Sequence, residues 1–319
     1  MIIVLSTFSF LLAYVAILSI TALGGMFSEK SGTIALSLEG CMTFGAFTAG
    51  IVMHVLPTSV PNGISALIVI ITALVSAGLY SLLLALASIT FKANQTLVGT
   101  ALNILSTALA VVMIKRVSRT EALPVGNSRL NFTRFYEIFN FNLFGIQGVR
   151  FNWLVIIVLA LIPIIYFVIY KTRFGLRLSA CGENPSSADS LGINVNKMRY
   201  IGILLSGILA GFGGLLLITM NAEWEFANGA NGFGFLALAV LIFGQWKPLY
   251  IFLGAFIFSL FKTISVIYPS IDFLARLGIS SYFYLALPYI VCLVVLIFTS
   301  KKNTGPKALG EPYEKEKIS

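Results

Sequence analysis

Long, uninterrupted apolar runs constrain this chain more than any other feature. Ile2–Gly25, Ile34–His54, Ile64–Phe91, Leu97–Ile114, Asn152–Tyr170, Tyr200–Met220, Leu249–Ile267 and Ser281–Phe298 each approach or exceed the roughly 20 residues that a helix needs to cross a bilayer. Hydrocarbon offers no water to an unpaired N–H or C=O, so each such run must close its hydrogen bonds internally as a helix. A further run, Gly232–Phe243, is short, and Gly229, Gly232 and Gly234 loosen its start. It reads as a broken or re-entrant segment, which survives only where protein or a water-filled cavity surrounds it. The predicted architecture is an all-α polytopic membrane helix bundle of about nine transmembrane segments. It occupies residues 1–300, and a charged tail, 301–319, is expected to be mobile. Composition excludes the soluble alternative: 58% of 319 residues are hydrophobic and 10% are charged. Ile2–Gly25 lacks the positive leader of a signal peptide and is long enough to span, so it is read as a retained first helix.

The formal charge of +9 is scattered through loops and span ends, which suits the positive-inside bias and not nucleic-acid binding. Lys301, Lys302, Lys307, Lys315 and Lys317 place the tail in the cytoplasm. Counting back puts Lys30, Lys92 and the 171–199 loop on the same side, and the N-terminus and the acidic stretch around Glu223 and Glu225 outside. The 115–151 loop also falls outside, despite Arg116, Arg119, Arg129, Arg134 and Arg150. It holds no spanning run, and Asn131–Gly145 could form a short interfacial helix whose surroundings meet an acidic face of a solute-binding protein.

Polar groups inside apolar runs are costly and therefore informative. Glu39 lies about two turns into the second run, either near the interface or on a pathway inside the bundle. Asn94, Gln95 and Asn103 could offer hydrogen bonds to a polar solute, or Asn94 and Gln95 could simply cap the helix from Leu97. Lys262 needs a cavity, a partner or a route to the interface. Gly207 and Gly211, with Gly214 beside them, form a small-residue stripe that lets backbones touch, so Tyr200–Met220 is expected at the centre. His54 is the only histidine, and Cys41, Cys181 and Cys292 lie far apart, so neither a metal site nor a disulfide framework is expected.

Lys171–Arg199 is the longest polar interruption of the second half, flanked by Lys171, Arg173, Arg177, Lys197 and Arg199. Its middle predicts one short helix with both ends marked. Asn184 is an N-cap, Pro185 falls at N1 where its missing N–H costs nothing, and Gly192 suits the left-handed position after the helix. Asp189 favours the helix dipole slightly, and Ser187 at N3 rules out a capping box. Ala188 and Leu191 are expected to share a face. The chain contains no GxxxxGK[ST], HExxH, CxxC or GxSxG, so it has no phosphate loop or catalytic residue of its own to offer. Active transport would draw its energy from another polypeptide.

GLRLSACGENPSSADSLGINV, followed by GILLSGILAGFGGLL, resembles the cytoplasmic loop and next span of bacterial ABC importer permeases of the branched-chain amino acid, ribose and nucleoside family. Gly232–Pro248 and Ser37–Phe47 resemble two further segments of that family. The resemblance implies that Gly182, Glu183, Asn184, Pro185, Ala188, Gly192 and Ile193, with Arg177 and Asp189 beside them, form an ATPase-coupling helix and its supports. It implies a substrate path near Glu39, Phe44, Asn94, Gln95 and Asn103. The implied partners are cytoplasmic ABC ATPase subunits that carry ATP and Mg, a second permease (a related chain more than a copy), an extracytoplasmic solute-binding lipoprotein and membrane lipid. No cofactor would be bound by this chain. The resemblance is nearest the nucleoside permeases, with ribose or another sugar second and branched-chain amino acids third. A reading from another class is a stand-alone secondary transporter or channel, for which Glu39 is the one plausible intramembrane acid and Lys262 a candidate counter-charge.

Overall fold

The computed structural model describes residues 2–118, 133–142, 150–220, 229–271, 276, 280–299 and 305–314. The bundle comprises α1 (Ile2–Lys30), α2 (Leu38–Val55), α3 (Asn62–Ala85), α4 (Gln95–Ser118), a short α5 (Thr133–Phe139), α6 (Trp153–Lys171), α7 (Arg173–Glu183), α8 (Pro185–Ser190), α9 (Val195–Met220), α10 (Phe233–Phe243), α11 (Pro248–Ile267) and α12 (Ser281–Thr299). Helix α3 continues as a π-helical turn, Leu86–Thr90, before the chain breaks at Lys92. Among the described residues, seven helices are long and apolar enough to cross a membrane, Phe233–Phe243 is a shorter apolar helix, and Ser281–Val294 is a further apolar stretch.

The centre belongs to α1 and α9. In its most apolar stretch α1 is 89% buried, against 28% for α6, so the first lies inside and the second against lipid. Helix α9 packs on α1, α2 and α3. Close approach is possible because the facing positions are small: a Cβ built on Gly45 would lie 2.7 Å from the Cα of Gly211, and one on Gly24 would lie 2.9 Å from the carbonyl oxygen of Ser206. Gly207 and Gly211 meet Ser81 and Ala77 of α3, and Gly214 meets the Met42 carbonyl of α2. Large apolar side chains such as Leu67, Val75, Ile104, Ile164 and Phe167 stand exposed on the outer helices, where lipid chains would cover them.

At one end the 115–151 segment contributes α5 and a small antiparallel ladder, β1 (Asn140–Asn142) with β2 (Arg150–Asn152), in the register Asn140↔Asn152. Helix α5 lies within the stretch expected to be helical, but it is not a loosely held surface helix. Phe135 and Phe139 are buried, Trp153 Nε1 donates to the Ile138 carbonyl at 3.1 Å, and Asn140 and Asn152 both donate to Thr219 at the end of α9. Arg119, Arg129, Glu223 and Glu225 lie outside the described residues.

At the other end the described part of the tail is docked instead of free. Residues 305–314 run over the turn after α1, the start of α9 and the end of α7. Lys30, Lys92, the 171–199 loop and residues 305–314 therefore gather at a single end of the bundle; Lys301, Lys302, Lys315 and Lys317 lie outside the described residues.

Candidate functional site

Two places gather the polar residues of interest. The first lies within the bundle, where two helices begin. The apolar run Ile34–His54 is not helical from its start: α2 opens only at Leu38, and the chain between α1 and α2 re-enters the bundle irregularly. Its backbone groups must then find partners among side chains. Asn103 supplies two of them, accepting from Gly40 N at 2.8 Å and donating to the Leu36 carbonyl at 2.8 Å. Gln95 Oε1 accepts from Ile34 N at 2.8 Å, and Glu29 Oε1 accepts from Ala35 N at 3.3 Å.

Glu39, in the first turn of α2, does the same for α10. Its two carboxylate oxygens accept from the backbone N–H of Gly232 (2.8 Å) and Gly234 (2.6 Å), closing the amino end of that helix. Thr43 Oγ1, one turn on, accepts from Ala230 N at 3.0 Å. Helix α10 spans 11 residues, about 16 Å, or roughly half of a hydrocarbon core. It starts beside Glu39 and finishes where Trp246 Nε1 donates to Glu29 Oε2 at 2.6 Å, at the foot of α1. Gly232–Pro248 is thus a half-length helix pinned by one glutamate at each end. The pinning at Glu29 has no counterpart in the sequence reading; the Glu at the end of a long apolar run was the signal available.

The other path candidates are placed differently. Phe44, half-buried, stacks on Tyr80 with ring centroids 4.4 Å apart and meets Phe47 edge-on. Asn94 faces outward and caps α4, accepting from Thr96 N and Leu97 N. Lys262 makes no salt bridge with Glu39; its ammonium lies 5.0 Å from the centroid of the Phe233 ring.

The second place is the loop between α6 and α9. Asn184 Oδ1 accepts from Ser187 N at 3.0 Å, Pro185 occupies N1, and Gly192 has φ +79°, so the short α8 carries both end signals read from its sequence. Helix α8 is not alone: α7 precedes it, capped by Thr172 on Gly175 N and buried through Gly175, Leu178, Cys181 and Gly182. Sequence reading missed α7, although the Thr172 cap and the apolar spacing that follows it were visible. Ala188 is buried in a small cluster with Cys181 and Val195, whereas Leu191 is 81% exposed. The two do not share a face, because α8 ends at Ser190 and Leu191 already belongs to the turn. Glu183, Ser186, Ser187, Ser190 and Leu191 are exposed, and Arg177 is exposed on α7.

Residues 7–300 match the family model described as branched-chain amino acid transport system / permease component. The chain belongs to that permease family. It is 33% identical to the guanosine ABC transporter permease protein NupQ of Bacillus subtilis, over 96% of this chain and 95% of the relative. It is also 33% identical to the nucleoside ABC transporter permease protein NupC of Lactococcus lactis, over 96% of each chain. The protein is accordingly a multi-pass ABC permease, the non-catalytic membrane subunit of a transporter whose ATPase and substrate-binding components are other chains. For a permease, an exposed short helix fixed at both ends and a half-helix pinned inside the bundle are the two features through which work and solute could pass.

Proposed function

We propose that this permease is the membrane subunit of a binding-protein-dependent importer of nucleosides, and that α8 is where its ATPase engages. The observation that carries the coupling assignment is α8 itself. It is capped by Asn184, rigid at Pro185, anchored by Ala188 and exposed at Ser186, Ser187 and Ser190. A partner that presses on such a helix bears first on α7 and the start of α9, because Ala188 is packed on Cys181 and Val195. ATP and Mg reside on the partner ATPases, whose closure tilts the bundle between outward-open and inward-open states. Arg177, Gly182, Glu183, Asp189, Gly192 and Ile193 support or surround this contact.

The nucleoside assignment is supported by full-length similarity to two permeases named for guanosine and for nucleosides. The solute path is placed along α2 and α4, near Glu39, Phe44, Asn94, Gln95 and Asn103, where a planar base could stack on Phe44. A second, related permease completes the pathway, and an extracytoplasmic lipoprotein delivers the solute. The α8 end faces the cytoplasm, and the N-terminus and the α5 end face outward.

Two measurements test this. Calorimetric titration of the cognate binding protein against guanosine, ribose and leucine should give binding to guanosine alone; a ribose- or leucine-selective protein would move the substrate assignment to sugars or amino acids. Co-purification of the ATPase should fall for Glu183→Ala, Pro185→Gly and Gly192→Val, and undiminished co-purification with normal uptake would remove α8 from the role.

A further inference from the structure

The tail holds the coupling loop to the bundle by contacts that a solvated terminus has no reason to make. Ala308 N donates to the Gly182 carbonyl at 2.9 Å, at the end of α7 and three residues before α8 begins. Gly310 N donates to the Gly32 carbonyl at 3.0 Å, in the turn that ends α1. Arg199, in the first turns of α9, is 2% exposed, and its Nη1 donates to the Glu311 carbonyl at 2.8 Å. Ala308 is buried, Leu309 packs on the main core, and Tyr313 packs on the cluster that anchors Ala188. Lys92, after α3, forms an ion pair with Glu314. Ten residues thus tie together the ends of α1, α3, α7 and α9, and they lie directly on the supports of α8.

The sequence of this stretch fits that path. Gly310 has φ +83°, a left-handed conformation costly for any residue with a Cβ, and a Cβ there would lie 2.9 Å from Ile34. The backbone under the strap is close-fitting too: a Cβ on Gly32 would lie 2.9 Å from Arg199 Nη2. Buried arginine is costly without partners, and the Glu311 carbonyl supplies one.

We infer that residues 305–314 are an intramolecular strap that makes α7–α8 and the ends of α1 and α9 move as one body, so that a push on α8 reaches the helices at the centre of the bundle. This rests on α8 being the ATPase contact. Without the strap, α8 would still receive the ATPase, but the loop would yield by itself. The strap is therefore a positioning element, and its loss should separate hydrolysis from transport.

The test uses the complete transporter, with its ATPase and binding protein, in proteoliposomes, supplied with the solute that the binding protein selects. Three forms are compared with the unaltered protein: Gly310→Val, Ala308→Pro, which lacks the N–H that reaches Gly182, and a chain ending at residue 304. Gly310→Ala serves as the milder change if these assemble poorly. In a Cys41→Ser, Cys292→Ser background, the remaining Cys181, buried beneath this region, reports strap release by its rate of alkylation with a maleimide. The expected result is severalfold faster Cys181 labelling, retained ATPase co-purification, and a severalfold rise in ATP hydrolysed per solute imported. Faster labelling with an unchanged ratio would overturn the strap, as would a fall of hydrolysis and uptake in parallel with thermal stability, which marks a merely structural segment. Unchanged labelling in the shortened chain would show that no strap covers Cys181. Failure of the underlying reading looks different: Pro185→Gly would then leave both ATPase co-purification and the ratio unchanged.

Discussion

Glu39 concentrates at one side chain the problem of starting a helix inside a membrane. The first N–H groups of α10 have no partner within their own helix, and lipid supplies none. Its carboxylate answers two of them, at Gly232 and Gly234. Glu39→Ala leaves both unpaired, at about 1–3 kcal/mol for each buried donor, so the purified permease should melt at clearly lower temperature. Glu39→Gln, which keeps one acceptor oxygen, should fall between; equal melting of Ala variant and parent in a fluorescence-detected thermal scan would show that water or lipid headgroups reach the site. Asn103→Leu carries a comparable expectation, because it strands Gly40 N and the Leu36 carbonyl together. Glu314 marks the opposite extreme. Lys92 beside it holds its carboxyl below the ordinary 4.5, so the pair contributes above that value and weakens as pH falls through the lowered one. Both groups are solvent-exposed, and such pairs are screened by salt. Glu314→Gln alone should therefore leave uptake unchanged between about pH 6 and 8.

Among the elements, what could be read in advance depended on whether a helix's reasons lie within its own residues. The long spans announce themselves by length, and α8 by Asn184, Pro185 and Gly192, because a cap is a local hydrogen bond. Asn184→Ala should cost about 1 kcal/mol of local helix stability and loosen the ATPase without lowering the melting temperature of the bundle, which separates the two functions of the loop. The start of α2 was not legible. Ile34–Ser37 continues the apolar run, and Gln95 and Asn103, distant in sequence, join Glu29 of α1 in making the irregular path possible. The docking of 305–314 was equally hidden: lysines suggested a solvated tail, while the contacts depend on Gly32, Gly182 and Arg199 in other parts of the chain. The Gly207/Gly211 stripe announced small-residue packing but not its partners, which are Ala77 and Ser81 of α3 and Gly45 of α2. Gly211→Val should force these backbones apart and lower the yield of folded permease severalfold in detergent, measured by size-exclusion profile; a normal profile would mean that α9 can shift without loss.

At the scale of the whole molecule, the proposed coupling would make one end a mechanical plate, with a cover at the other. The plate joins α7, α8, the feet of α1 and α9, and the strap; the cover joins α5 and the β1–β2 ladder to the head of α9 through Thr219. Single cysteines at Ser187, Leu191 and Glu314 should therefore react with a membrane-impermeant maleimide only in inside-out vesicles, and one at Glu137 only in right-side-out cells. Labelling of both sets from the same side would refute the through-membrane arrangement. The burial of α1 has a further result for how the protein is made. Translation delivers α1 well before α9, α10 and α11, which enclose it. Newly inserted α1 must wait in lipid with Ser19, Thr21 and Ser28 uncovered, and the native core can close only once most of the chain has left the ribosome.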